Sequence, residues 1–183
     1  RWKDLDHDGK ITELDQTWIY DPVPDFTYGF NVYLEYKNFD FTAFFQGVQG
    51  VDIISDLKKE TDIWAGLNIG NLNKGHRLLN AWCVDNPSSN IPAVTLSDNN
   101  NEKRVSTYWV ENGSYLKLRT IQLGYNLPQN IVSKLSMQRL RMYVSAQNLF
   151  TIKSSSFTGV DPENPNYGYP IPLNITFGLN VTF

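Results

Sequence analysis

The segment Phe26–Tyr36 restricts the fold more than any other part of the chain. Positions 26, 28, 30, 32, 34 and 36 are Phe, Tyr, Phe, Val, Leu and Tyr, and between them lie Thr27, Gly29, Asn31, Tyr33 and Glu35. A period of two belongs to a β-strand with one apolar and one polar face; a helix would scatter these residues round its axis. The pattern recurs. Lys37-Asn38 reads as a tight turn, and Phe39–Gly47 alternates again, which makes a hairpin. A third strand is expected over Tyr115–Tyr125, with a slip of apolar phase near Arg119-Thr120 that marks a β-bulge. Leu127-Pro128 ends it, residues 130–135 suit a short helical turn, and Leu140–Asn148 forms a fourth strand. In Ile175–Phe183 every odd position is apolar and every even one is Thr, Gly or Asn.

Each strand has about 9–11 residues, enough to cross a bilayer at the tilt of a barrel, whereas strands of soluble sheets average about 5–6. Phe26, Tyr36, Tyr115, Tyr125 and Phe183 lie near strand ends, where an interfacial aromatic girdle places them. If neighbouring strands alternate in direction, the short turns at 37–38 and 127–139 share one side. The long connections 50–114 and 151–173 share the other with the segment 1–25, as periplasmic turns and extracellular loops do. The expected fold is therefore all-β: an antiparallel transmembrane β-barrel segment with long extracellular loops. Its divisions are an acidic segment 1–25, a hairpin 26–49, a loop 50–114, a strand pair 115–150, a loop 151–173 and a terminal strand 174–183. The alternative is a secreted, calcium-stabilised β-sandwich that binds carbohydrate, with the apolar faces meeting in a dry core.

Five strands are too few to close a barrel, and the chain starts without Met or a cleavable export signal, so it reads as a segment of a longer protein. The mean hydropathy of −0.37 is no objection, because alternating strands average low. No apolar run reaches the length of a membrane-spanning helix. A net charge of −3 gives no basic field for nucleic acid. Cys83 is the sole cysteine, which excludes an internal disulfide, and it is expected to be an inert buried thiol.

Asp4-Leu-Asp-His-Asp-Gly-Lys-Ile-Thr-Glu-Leu-Asp15 carries oxygen ligands at the spacing of a calcium loop. Asp4, Asp6 and Asp8 fall at positions 1, 3 and 5, Gly9 at the sharp turn, Lys10 at the backbone-carbonyl position and Asp15 at position 12. An Asp stands where an EF-hand has a bidentate Glu, so a structural Ca2+ site of altered coordination is the expectation. A solvated acidic turn is the alternative.

His7 and His76 lie in no catalytic setting, and His76 is expected in an exposed loop. Asp161 and Glu163 flank Pro162 in a turn-rich segment and make a poor acid–base pair. No nucleophile constellation or phosphate loop is present, so enzyme activity is unsupported. Trp64, Trp82 and Trp109 in the long loop, and Tyr167 and Tyr169 in the last, are candidate ligand contacts, since aromatic faces stack on sugars and peptides. They are equally suited to packing the loops together.

A series of short segments resembles a known family. It runs from the acidic loop through Asp21-Pro-Val-Pro-Asp-Phe-Thr-Tyr-Gly-Phe30, Phe44-Phe-Gln-Gly47 and Asn112-Gly-Ser-Tyr-Leu-Lys-Leu-Arg119 to Leu123-Gly-Tyr-Asn-Leu-Pro128. Val144-Ser-Ala-Gln-Asn-Leu-Phe150, Gly159-Val-Asp-Pro162 and the terminal Phe183 complete it. In order and spacing these are similar to the C-terminal part of SusC/RagA-type TonB-linked outer-membrane proteins (TonB-dependent receptors). The resemblance implies a barrel of about 22 strands with a plug in its lumen, in the Gram-negative outer membrane. It further implies import of oligosaccharides or peptides with energy from TonB, a SusD-like lipoprotein as partner, and Phe183 as the signal read by the barrel-assembly machinery. A passive porin or adhesin barrel is the third possibility.

Overall fold

The computed structural model describes residues 3–62, 74–95, 104–165 and 168–183. In chain order the elements are β1 (Phe26–Tyr36), β2 (Phe39–Gln49), the short β3 (Asp52–Ile54), α1 (Asp56–Asp62) and β4 (Val110–Asn112). There follow β5 (Tyr115–Asn126), α2 (Gln129–Val132), β6 (Arg139–Lys153) and β7 (Asn174–Thr182). The five long strands make one sheet in the order β1-β2-β5-β6-β7, every neighbouring pair antiparallel, and β3 pairs with β4 apart from it. The strand expected over 140–148 is longer at both ends, and β3, β4 and α1 lie in what the sequence presents only as a long loop.

The pairing register carries the alternation of each strand into its neighbours. Phe30 faces Phe45, Leu34 faces Phe41, Leu123 faces Val144, and Val144 faces Phe177. One face of the sheet is thus apolar across all five strands, from Phe26, Tyr28, Phe30, Val32 and Leu34 on β1 to Ile175, Phe177, Leu179 and Val181 on β7. The other face holds Glu35 and Asp40 opposite each other, then Gln122, Ser145 and Thr176 in one row, and Arg141 beside Asn126 and Asn180. A one-residue slip anywhere would exchange the two faces, so this register is strongly specified.

The phase slip in β5 is real. Against β2, Phe44 and Phe45 face Thr120 and Leu118 and leave Arg119 as the extra residue; against β6 the register shifts between the same two β5 residues. Above the bulge Ile121, Leu123 and Tyr125 lie on the apolar face; below it Leu116 and Leu118 do. Unbroken alternation through this strand would have set Lys117 and Arg119 in the apolar row. The bulge turns both onto the polar face.

Two glycines permit close packing on that face. A Cβ at Gly124 would overlap both Arg141 and Asp40, whose ion pair crosses the strand with Arg141 Nε donating to Asp40 Oδ1 at 2.9 Å and Nη2 to Oδ2 at 2.5 Å. One at Gly178 would overlap the Tyr143 ring, which itself lies beneath Arg141.

Among the described residues, no second layer covers the apolar face. Phe177 is 81% exposed there and Leu34 60%. The dry core that a β-sandwich requires is absent from the described part of this sheet, and the buried apolar residues are few: Trp109, Val132 and Phe157 in the connections, and Ala43, Tyr115 and Leu118 on strands. The turns at 37–38 and 127–138 lie at one end of the sheet, and the connections 50–114 and 154–173 at the other. Among the described residues no helix is long and apolar enough to cross a membrane, which says nothing of strands.

Candidate functional site

The long connections fold against each other instead of hanging free. Val110 pairs with Ile54 and Asn112 with Asp52, so β3 and β4 form a small platform beside the main sheet. Trp109, 1% exposed, is its core, packed by Ile54 and Tyr108, and its indole Nε1–H donates to the Arg104 carbonyl at 3.0 Å. Glu111 is buried and fully partnered: Lys58 approaches at 2.9 Å, and the Thr158 backbone N–H and hydroxyl donate to it at 3.0 and 2.7 Å. The Tyr108 hydroxyl donates to buried Asp62 at 2.5 Å, and burial together with that bond raises its pKa.

The segment 154–165 is a strap held between this platform and the main sheet. Lys117, with its side chain 1% exposed, donates to Asp161 at 2.8 and 3.0 Å and to Glu163 at 2.7 Å. The Tyr115 hydroxyl donates to Glu163 at 2.6 Å, Arg119 pairs with the same carboxylate, and Arg119 Nε donates to Gln46 at 2.8 Å. Two cations and two carboxylates make a neutral quartet, and the β5 bulge aims both cations at it. Burial pushes the Glu163 carboxyl up, but the bonds from Lys117 and Tyr115 and the charges of Lys117 and Arg119 outweigh this and hold it below its ordinary value. Asp161 and Glu163 are therefore anchors of the strap, committed to cations and not an acid–base pair.

Beside the quartet lies a cavity of about 570 Å³. Val48 and Tyr115 of the polar sheet face form its floor, Val51, Ile53 and Asp52 one wall, Tyr20 and Pro22 another, and Pro162 and Glu163 of the strap the last. It is largely apolar, which distinguishes it from the polar sheet face below.

The acidic loop places carboxylate oxygens of Asp4, Asp6 and Asp8 within 4.8 Å of one another. Asp4 accepts backbone N–H bonds from His7 at 2.7 Å and Gly9 at 2.9 Å, while Asp8 accepts from Lys10 at 2.7 Å. Gly9 has φ +81°, a left-handed conformation that glycine adopts without strain. Asp15 stands apart from that group. Its two oxygens accept from Leu5 N–H at 2.6 Å and Thr12 N–H at 2.7 Å, which closes the loop and lowers its pKa, the Thr12 bond first and the Leu5 bond next. In this structure Asp15, expected at position 12, is a loop clasp and the third residue of a capping box with Thr12, the N-cap of a short 3-10 helix, Glu13–Asp15.

Of the aromatic candidates, Trp109 is enclosed by the loops and offers no face to a ligand. Trp82 is 45% exposed and Tyr169 95%, both on the loop side of the sheet, while Trp64 and Tyr167 lie outside the described residues. Cys83 is exposed, against the expectation of a buried thiol, because it sits in a surface turn bridged to Asn86. His76 is exposed, at the start of a 3-10 helix. The quartet itself escapes sequence reasoning, although two basic residues at 117 and 119 of an apolar strand, at a phase slip, are a visible sign of it.

Lys117→Met leaves two part-buried carboxylates short of a cation and should destabilise the full-length protein by about 3–5 kcal/mol. Adding Asp161→Asn should recover a large part of the loss in thermal unfolding. If the double variant is no better than the single, the quartet is not what anchors the strap.

Comparison with known proteins agrees with this architecture. No protein-family model matches the chain. It is 37% identical, over 98% of its length, to TonB-dependent receptor P3 of Formosa agariphila, and 27% identical, also over 98%, to the TonB-dependent receptor SusC of Bacteroides thetaiotaomicron. It spans only 18% and 17% of those proteins. In three dimensions it resembles the RagAB peptide transporter, with a TM-score of 0.78 and 27% identity over 95% of this chain and 19% of that one. These relatives are receptors and transporters, not enzymes. The chain belongs to the TonB-dependent receptors, as a segment with the barrel fold of that family.

Proposed function

We propose that this chain is part of the barrel wall of an outer-membrane, TonB-dependent transporter that imports oligosaccharides or peptides together with a SusD-like lipoprotein. The observation that carries this reading is the separation of the sheet into a predominantly apolar face without charge and a face holding the charged side chains of the five long strands, Lys153 among them, which reaches the strap backbone at Gly159 and Val160. An uncovered apolar surface of this extent needs an apolar partner, and lipid is the partner that long, tilted, antiparallel strands fit. In this arrangement the platform, strap and cavity face the exterior, the polar face lines the lumen, and β1 and β7 pair with strands of the remaining barrel. Trp82 and Tyr169 are then placed for ligand or partner contact. The barrel-assembly machinery would read the terminal Phe183, which is 78% exposed. TonB would act through other parts of the receptor.

Phe177 and Thr176 are adjacent on β7 and on opposite faces. Phe177→Arg in the full-length protein should cost about 2–4 kcal/mol and lower the folded, heat-modifiable barrel in the outer membrane; Thr176→Arg should cost far less. Equal effects of the two would count against a lipid-facing side.

We also assign Asp4, Asp6 and Asp8, with the Lys10 carbonyl, as ligands of a structural Ca2+, for which clustered carboxylates on a tight turn are suited. Calcium should then raise the melting temperature of the full-length protein, and Asp6→Ala should remove that rise. A titration identical in the variant would refute the assignment.

A further inference from the structure

The loop-side cavity differs from a surface built for sugars. An oligosaccharide presents hydroxyls on nearly every carbon, and each one taken from water needs a partner. Here the lining is mostly Val48, Val51, Ile53, Pro22 and Pro162. Of the two carboxylates that reach it, Glu163 has both oxygens committed to Lys117, Arg119 and Tyr115. Asp52 is different: one oxygen accepts the Asp21 N–H at 3.2 Å, and no cation faces it among the described residues.

Asp52 has company. Asp21 lies beside it through that hydrogen bond and through the Asp52 N–H, which donates to the Asp21 carbonyl at 2.9 Å. Asp25 packs its carboxyl against Gly50, where any Cβ would overlap it. Among the described residues none of these three carboxylates is ion-paired, whereas Asp40, Glu111, Asp161 and Glu163 all are. An apolar cavity therefore opens beside Asp52, which is bonded to Asp21, and neither carboxylate has a counter-charge among the described residues. Such a site repels acidic ligands, offers little to a neutral glycan, and suits apolar side chains next to a positive charge.

We propose that this cavity binds an apolar peptide segment carrying a positive charge, an Arg or Lys side chain or an amino terminus, which would lie against Asp52 and Asp21. The assignment rests on the importer reading and narrows its substrate to basic, proline- or aliphatic-rich peptides. The quartet sets the width of the cavity by fixing Pro162 and Glu163 of the strap.

The test uses the purified full-length receptor, capped Arg-Pro-Val-Leu-Gly and Glu-Pro-Val-Leu-Gly peptides, and maltoheptaose, with affinities from calorimetry. The Arg peptide should bind at least about tenfold tighter than the Glu peptide, a preference that shrinks between about 0.05 and 0.5 M salt as the charges are screened. Asp21→Asn with Asp52→Asn keeps both side-chain acceptors and should bring the two peptides close to equal affinity. Equal binding by the unaltered receptor, a preference unchanged in the double variant, tighter binding of maltoheptaose, or no peptide binding would each overturn the proposal. The importer reading is checked separately, by recovery of a heat-modifiable barrel in the outer-membrane fraction. A barrel found there that does not discriminate between the peptides overturns the cavity assignment alone.

Discussion

The structure depends on keeping charge off one face of a five-stranded sheet. In the lipid-facing role proposed for that face, a Lys or Arg there would cost about 2–4 kcal/mol at mid-depth, a large fraction of the stability of an ordinary domain. Each strand meets the constraint through its period of two, and the register shares it between neighbours. Strand β5 meets it only with help, because its sequence places Lys117 and Arg119 in the same parity as Ile121 and Leu123. One extra residue, Arg119, resolves the conflict and turns two unwelcome charges into the anchor of a loop.

That anchor links the wall to the loop side. Lys117 and Arg119 hold the strap, the strap carries Thr158, and Thr158 satisfies Glu111 of the β3–β4 platform, which Lys58 of α1 also reaches. Sheet, strap, platform and α1 are thus joined by buried polar bonds more than by apolar packing. Such networks are unforgiving, since removing one partner leaves a desolvated charge behind. They suit loops that must keep a defined cavity with little hydrophobic core beneath them.

How legible this was in the sequence depends on the range of the interaction. The faces of β1, β2 and β7 could be read from alternation alone, and the slip in β5 announced the bulge, because strand periodicity is local. The platform was hidden, since Asp52–Ile54 and Val110–Asn112 are too short to show a period and pair across a long connection. Trp109 looked like a ligand contact because composition cannot tell an aromatic that packs a loop from one that faces solvent. Asp15 matched the spacing of a metal ligand, and in the fold it lies outside the group that Asp4, Asp6 and Asp8 form, bonded to the Leu5 and Thr12 N–H groups. The partners of Lys117 lie 44 and 46 residues away, beyond any local pattern.

The most direct test of the account follows lipid exposure along β5, through the bulge. Single nitroxide labels at each position from 116 to 123 of the full-length protein in bilayers would be read by oxygen and aqueous-relaxant accessibility. High oxygen access is expected at Leu116, Leu118, Ile121 and Leu123, and low access at Lys117, Arg119, Thr120 and Gln122, a reversal of phase at Arg119. Unbroken alternation through Arg119, or uniform access to the aqueous reagent, would contradict it.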